Sequence, residues 1–144
     1  MAVNGKKYSW EDITATMPHG VLIDIDSIEY SDGKEMELQY GKGSLPTGYG
    51  TGNYSSEGKV SLMREEFNRL LNYAKGLGKS LYTLPPFPIT AAYANDDQPT
   101  TTDVLKGVKF SKTSTSVSQG DKNVKVDLDI LIVGGIAWNG VQPA

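Results

Sequence analysis

Apolar and polar residues alternate along most of this chain, and one stretch departs from that rhythm. Ile13, Ala15 and Met17 alternate with Thr14 and Thr16, which predicts a short strand ending at Pro18. In VLIDIDSIEYS (21–31), Val21, Ile23 and Ile25 share one phase, and Ile28 and Tyr30 share the other. The change of phase near Ser27 predicts a bulge or a change of sheet. Ser31-Asp32-Gly33-Lys34 has the chemistry of a turn. Met36, Leu38 and Tyr40 then alternate with Glu35, Glu37 and Gln39, so residues 21–40 are expected to form a hairpin with one wet, acidic face.

Further on, Tyr54, Ser56, Gly58, Val60 and Leu62 share the phase of another strand, which leads into MREEFNRLLNYAKGLG (63–78). Here the period changes from two to that of a helix. Phe67, Leu70, Leu71, Ala74 and Leu77 form one apolar stripe. Glu65 and Glu66 occupy the first turn, where the helix dipole favours carboxylates, and Gly76 and Gly78 end the helix. The proline-rich LPPFPITAAYANDDQPTTT (84–102) carries a predicted strand at 89–93 and an exposed turn from Asn95 to Pro99. A last hairpin is predicted from Val104, Val108 and Phe110 through a Ser/Thr-rich arm (113–118) and a turn at Gln119–Lys122. It returns through Val124, Val126, Leu128, Ile130 and Ile132, alternating with Lys125, Asp127 and Asp129, to Gly134-Gly135. The fold class expected is mainly β with one α-helix: two packed antiparallel sheets, as a β-sandwich or partial barrel, flanked by the helix.

Length and composition narrow this picture. The chain has 144 residues, the size of a single domain, and 1–144 is taken as one unit. Its net charge of −3 offers no basic footprint for gripping nucleic acid. It has no cysteine, which excludes disulfides and thiolate metal sites. No apolar run approaches the ~18 residues that span a bilayer. The N-terminal MAVNGKKYSWEDI has no apolar core after its two lysines, so a cytoplasmic location, at least at first, is expected.

The stretch GKGSLPTGYGTGNY (41–54) is the candidate for special chemistry, with glycine at 41, 43, 48, 50 and 52. A phosphate loop needs G-x-x-x-x-G-K-[ST] leading into a helix. Gly78-Lys79-Ser80 has that ending, but Tyr73 stands where the first glycine is needed, and the site lies at a helix C-terminus. The dinucleotide pattern fails at Asn53 and Pro46. The stretch is therefore expected to be a long inter-strand loop. Its tyrosines, with Leu45 and Pro46, give it a composition suited to protein contact.

Catalytic and metal motifs fail in the same way. His19, the single histidine, sits in a turn with no sequence neighbour to orient it. Asp96-Asp97 lacks the ligand spacing of a calcium loop. Glu65 and Glu66 point about 100° apart on a helix and form no acid/base pair. No G-x-S-x-G occurs. No enzyme, cofactor or metal site is expected.

Taken in order, these segments resemble the tail tube proteins of contractile-tailed bacteriophages. The stretch SIEYSDGKEMELQYGKGSLPTGYGTGNYSSEGKVSLMREEFNRL (27–70) carries most of the resemblance. It combines a hairpin ending in Tyr-Gly, a Pro-x-Gly-Tyr-Gly-x-Gly loop, a Glu-Gly strand and a helix opening Arg-Glu-Glu. Tyr8–Ile13 and the closing Gln119-Gly120-Asp121 hairpin with Gly134-Gly135-Ile136 extend it over nearly the whole chain.

The resemblance implies a fold shared with tailocin and type VI secretion tubes. It also implies hexameric rings that join their sheets and stack into a tube inside a contractile sheath, with DNA passing through the lumen. Partners would be the sheath, tape measure and baseplate or initiator proteins, and the location the virion tail, assembled in the host cytoplasm. On this reading Leu45, Pro46, Gly48, Tyr49, Gly50, Gly52 and Tyr54 form an inter-ring stacking loop whose glycines turn and order on stacking. Glu35, Glu37, Asp127 and Asp129 line the lumen, where carboxylates let a polyanion slide. The alternatives are a type VI secretion or tailocin tube protein and, from another class, a carbohydrate-binding β-sandwich using Trp10, Trp138 and tyrosines.

Overall fold

A computed structural model describes Lys7–Asp96 and Gln98–Pro143. Asp97, half of the acidic pair considered above, lies outside the described residues. Among the described residues, seven strands and one α-helix follow in chain order: β1 (Ile13–Met17), β2 (Gly20–Val21), β3 (Ile25–Tyr40), β4 (Pro46–Met63), α1 (Arg64–Leu77), β5 (Phe87–Asn95), β6 (Gln98–Thr115) and β7 (Lys125–Trp138). All pairings are antiparallel, in the order β2-β1-β5-β6-β7-β4-β3.

The mainly β architecture with one helix is as expected, but there is one continuous sheet rather than two. That sheet curls. Four strand spacings separate β3 from β5, about 19 Å in a flat sheet. Yet the Tyr30 hydroxyl on β3 lies 2.8 Å from the Tyr93 hydroxyl on β5 and donates to Asp103 Oδ2 on β6 at 2.5 Å. Ile13 and Trp10 from one margin line a cavity of about 330 Å³ with Ile28 from the other. The result is an open, partial barrel, pinned across its interior by a tyrosine.

The interior holds Val60 and Leu62 of β4, Ile89 of β5, Leu105 and Val108 of β6, and Leu128 and Ile136 of β7, all 0% exposed. Helix α1 covers the β4–β7 side with Phe67, Leu70 and Ala74, while Leu77, at its end, is exposed. Gly78 stops it in the left-handed conformation (φ 68°), so that Lys79 N–H reaches back to the Ala74 carbonyl.

Two sequence expectations change here. Ser31–Lys34 is not a turn: β3 runs through it unbroken, because Ser31, Asp32, Gly33 and Lys34 pair with Glu57, Ser56, Ser55 and Tyr54 of β4. Nor is 41–54 a long loop. β4 already begins at Pro46, and the connection is only 41–45. The bulge expected near Ser27 is present as a register shift between Ile25 and Ser27.

Candidate functional site

The hairpin of β3 and β4 is far longer than the sheet that anchors it. β4 pairs with β7 from Met63↔Lys125 to Glu57↔Leu131; its remaining residues pair with β3 alone. The result is a two-stranded arm, roughly residues 32–56, leaving the barrel. β3, 16 residues long, is the end strand of the sheet, so its outer backbone edge is open for pairing.

The two faces of the arm differ. On one, Met36, Leu38 and Tyr40 stand with Tyr49, and Leu45 lies at the tip. These are 66%, 56%, 59%, 67% and 79% exposed. A contiguous apolar face of this kind is unusual on an isolated soluble chain. On the other face, Glu37 and Gln39 are paired directly with Gly50 and Gly48. A Cβ added at Gly52 would lie 2.4 Å from Glu35 Oε2, and one at Gly50 3.1 Å from Gln39 Nε2. Two of the arm's glycines therefore make room for acidic and amide side chains that lie across the strand. They are not turn residues: Gly48, Gly50 and Gly52 all sit within β4.

Register settles how the four acidic candidates relate. Residues paired directly across antiparallel strands share a face. Glu29 pairs with Lys59, and Lys59 with Asp129. Alternation along β3 then carries Glu35 and Glu37 to the same side as Glu29, and alternation along β7 carries Asp127 to the side of Asp129. All four lie on the face opposite the packed interior. That face is not uniformly acidic, since Lys59 and Lys112 flank Asp129 on both neighbouring strands.

His19 does sit in a turn, but its side chain is only 3% exposed and its Nε2 is 3.6 Å from Glu66 Oε1. Burial pushes its pKa down; Glu66 pulls it up and Arg69 pushes it down. Glu66 is itself fully buried, accepting hydrogen bonds from Ile23 N–H at 3.0 Å and Arg69 at 2.7 Å. Its role is to fasten segment 19–23 to the helix, beyond the dipole role expected of it. The spacing 66, 70, 74 with Leu70 and Ala74 was the available signal that Glu66 faces inward.

The tryptophans form no shared platform. Trp138 stacks on Tyr30 at 5.1 Å and donates to Asp32, whereas Trp10 lines the marginal cavity with Tyr8 and Tyr93. Among the described residues, no group of three or more His, Cys, Asp or Glu is placed to hold a metal ion, and no helix is long and apolar enough to cross a membrane.

No protein-family model and no curated protein sequence matches the chain. Among solved structures, it is similar to the SPP1 tail tube, with a TM-score of 0.63 over 93% of this chain and 80% of that one, at 12% identity. It is also similar to a type six secretion system protein, with a TM-score of 0.54 over 88% of this chain and 82% of that one, at 13% identity. The curled sheet with its flanking helix and projecting arm is thus a tail-tube fold.

Proposed function

We propose that this chain is the structural, non-enzymatic subunit of a phage tail tube. Copies join head to tail into hexameric rings, and rings stack into a hollow tube. The observation that carries this reading is the arm: a long open strand edge and a contiguous apolar face that the described residues leave uncovered. Pairing between copies would cover both, and a head-to-tail contact that closes gives a ring while stacking gives a filament. The fold shared with the SPP1 tail tube supports the same reading.

In this assembly the arm, with Leu45, Pro46, Tyr49 and the strand residues Gly48, Gly50 and Gly52, makes the inter-ring contact, while the Tyr54 hydroxyl is engaged at the arm's root within its own chain. Glu35, Glu37, Asp127 and Asp129 line the lumen through which DNA is ejected. A contractile sheath surrounds the tube, and tape-measure and baseplate proteins set its length and start. The test is negative-stain electron microscopy of the concentrated protein, with a baseplate initiator added in a second arm. Rings or hollow tubes are expected. A monomer under both conditions would overturn the proposal. A type VI secretion tube is the second reading, favoured by the likeness to a protein of that system. Neighbouring genes for a tape measure would distinguish the two.

A further inference from the structure

The arm's root is fastened in an unusual way. Where β4 and β7 part, after Glu57↔Leu131, the backbone ladder between them is replaced by side chains. The Ser56 hydroxyl donates to the Ile132 carbonyl at 2.9 Å. The Tyr54 hydroxyl accepts from Ile136 N–H at 3.1 Å and donates to Asp32 Oδ2 at 2.6 Å. The same carboxylate oxygen accepts from Trp138 Nε1 at 3.0 Å. Asp32 and Tyr54 belong to the arm; Ile132, Ile136 and Trp138 belong to the barrel.

Gly135 completes the arrangement. Its φ is +83°, and a Cβ there would meet the Tyr54 ring at 3.1 Å and Pro143 at 2.7 Å. Gly135 is therefore what lets the Tyr54 ring lie against β7. Asp32 and Trp138 are both exposed, so these bonds compete with water and are individually weak. A ladder of backbone bonds resists bending as a unit; a few hydroxyl and indole contacts can be released while strands on either side stay paired.

We propose that Tyr54, Asp32 and Trp138 form a releasable clasp that sets the angle of the arm to the barrel, with the hinge where β4 leaves β7. In the closed state the arm is held ready for its neighbour; with the clasp open it swings as a paired hairpin while the barrel stays shut. The barrel has its own internal tie, Tyr30 to Asp103 and Tyr93; the Trp138 ring lies against Tyr30 at 5.1 Å, but no clasp residue makes any of the tie's hydrogen bonds.

This deepens the tube reading, but its test does not depend on it, because it is made on dilute, unassembled chain. The native sequence has no cysteine, so spin labels at Ser44→Cys on the arm tip and Lys75→Cys on α1 are unique. Pulsed electron resonance is expected to give one narrow distance with the clasp intact. It should give a distribution at least twice as broad in Asp32→Ala and in Tyr54→Phe. Hydrogen exchange should show β5, β6 and β7 equally protected in all three. Glu35→Gln, which alters the arm outside the clasp, should keep the narrow distance. Unchanged distances in both clasp variants would overturn the proposal. So would broadening with lost protection across β5–β7, since the same residues would then be holding the barrel itself. Failure to form tubes, with the distances behaving as stated, would count against the tube reading alone.

Discussion

The barrel and the arm share two strands, β3 and β4, yet they obey opposite rules. Within the barrel, Val60 and Leu62 are completely buried, and β4 has a neighbour on both sides, β3 and β7. A few residues earlier, the same β4 pairs with one strand only and sits opposite Met36, Leu38 and Tyr40, which face water. The barrel spends its apolar residues on its own stability. The arm leaves comparable residues uncovered, which an isolated chain gains nothing from. The difference between the two marks the region that, on the proposed reading, a neighbouring copy covers.

If that division is right, the arm can be removed without loss of the fold. Deleting 44–52 should abolish rings and tubes altogether while the thermal unfolding of the remaining chain stays cooperative. Tubes of normal appearance from this deletion would break the comparison at its centre. The barrel should respond the other way. Leu128→Ala empties a fully buried site and should cost about 2–5 kcal/mol in denaturant unfolding. Tyr30→Phe should cost about 1–3 kcal/mol, because it leaves the largely buried Asp103 carboxylate without its hydroxyl donor. An undiminished midpoint in urea would mean that the curl does not depend on this tie. Smaller still on the stability scale, reversing Glu35 and Glu37 to lysine should shift unfolding by less than about 0.5 kcal/mol, since both are exposed. Its effect belongs to the assembled particle, where DNA delivery should fall although tubes form. Full infectivity would remove these two residues from the lumen.

Much of the barrel was legible because burial on one face imposes a period of two. Val60, Leu62, Val126, Leu128 and Ile130 announce both their strands and their inward face. The arm was harder for a physical reason. With no core behind it, nothing forces apolar alternation on Gly48–Gly52, and glycine in a strand resembles glycine in a loop. The supposed turn at Asp32-Gly33 failed similarly. Local turn chemistry was outweighed by a partner strand 22 residues away, whose Tyr54 bonds Asp32. The curl was legible only as one of two alternatives, the partial barrel; the contacts that draw the sheet together, among Tyr30, Tyr93 and Asp103, are made only by the fold.

His19 offers the finest comparison, since it concerns the barrel's rim rather than its centre. Its folded pKa lies below the ordinary 6.5, chiefly because its ring is desolvated. The unfolded chain therefore takes up a proton near pH 6.5 while the folded chain resists it. Stability from this group is fully present above that pH and is lost as pH falls through the window beneath it. The nearby Glu66 carboxylate limits the loss by attracting the imidazolium, so a shift of only a few degrees in Tm is expected between pH 7.5 and 5.5. His19→Gln should flatten that part of the profile and leave the arm's behaviour untouched. A wild-type slope of the opposite sign, with stability rising as pH falls, would mean that the attraction of Glu66 outweighs burial. The cluster would then be an ion pair that tightens on protonation.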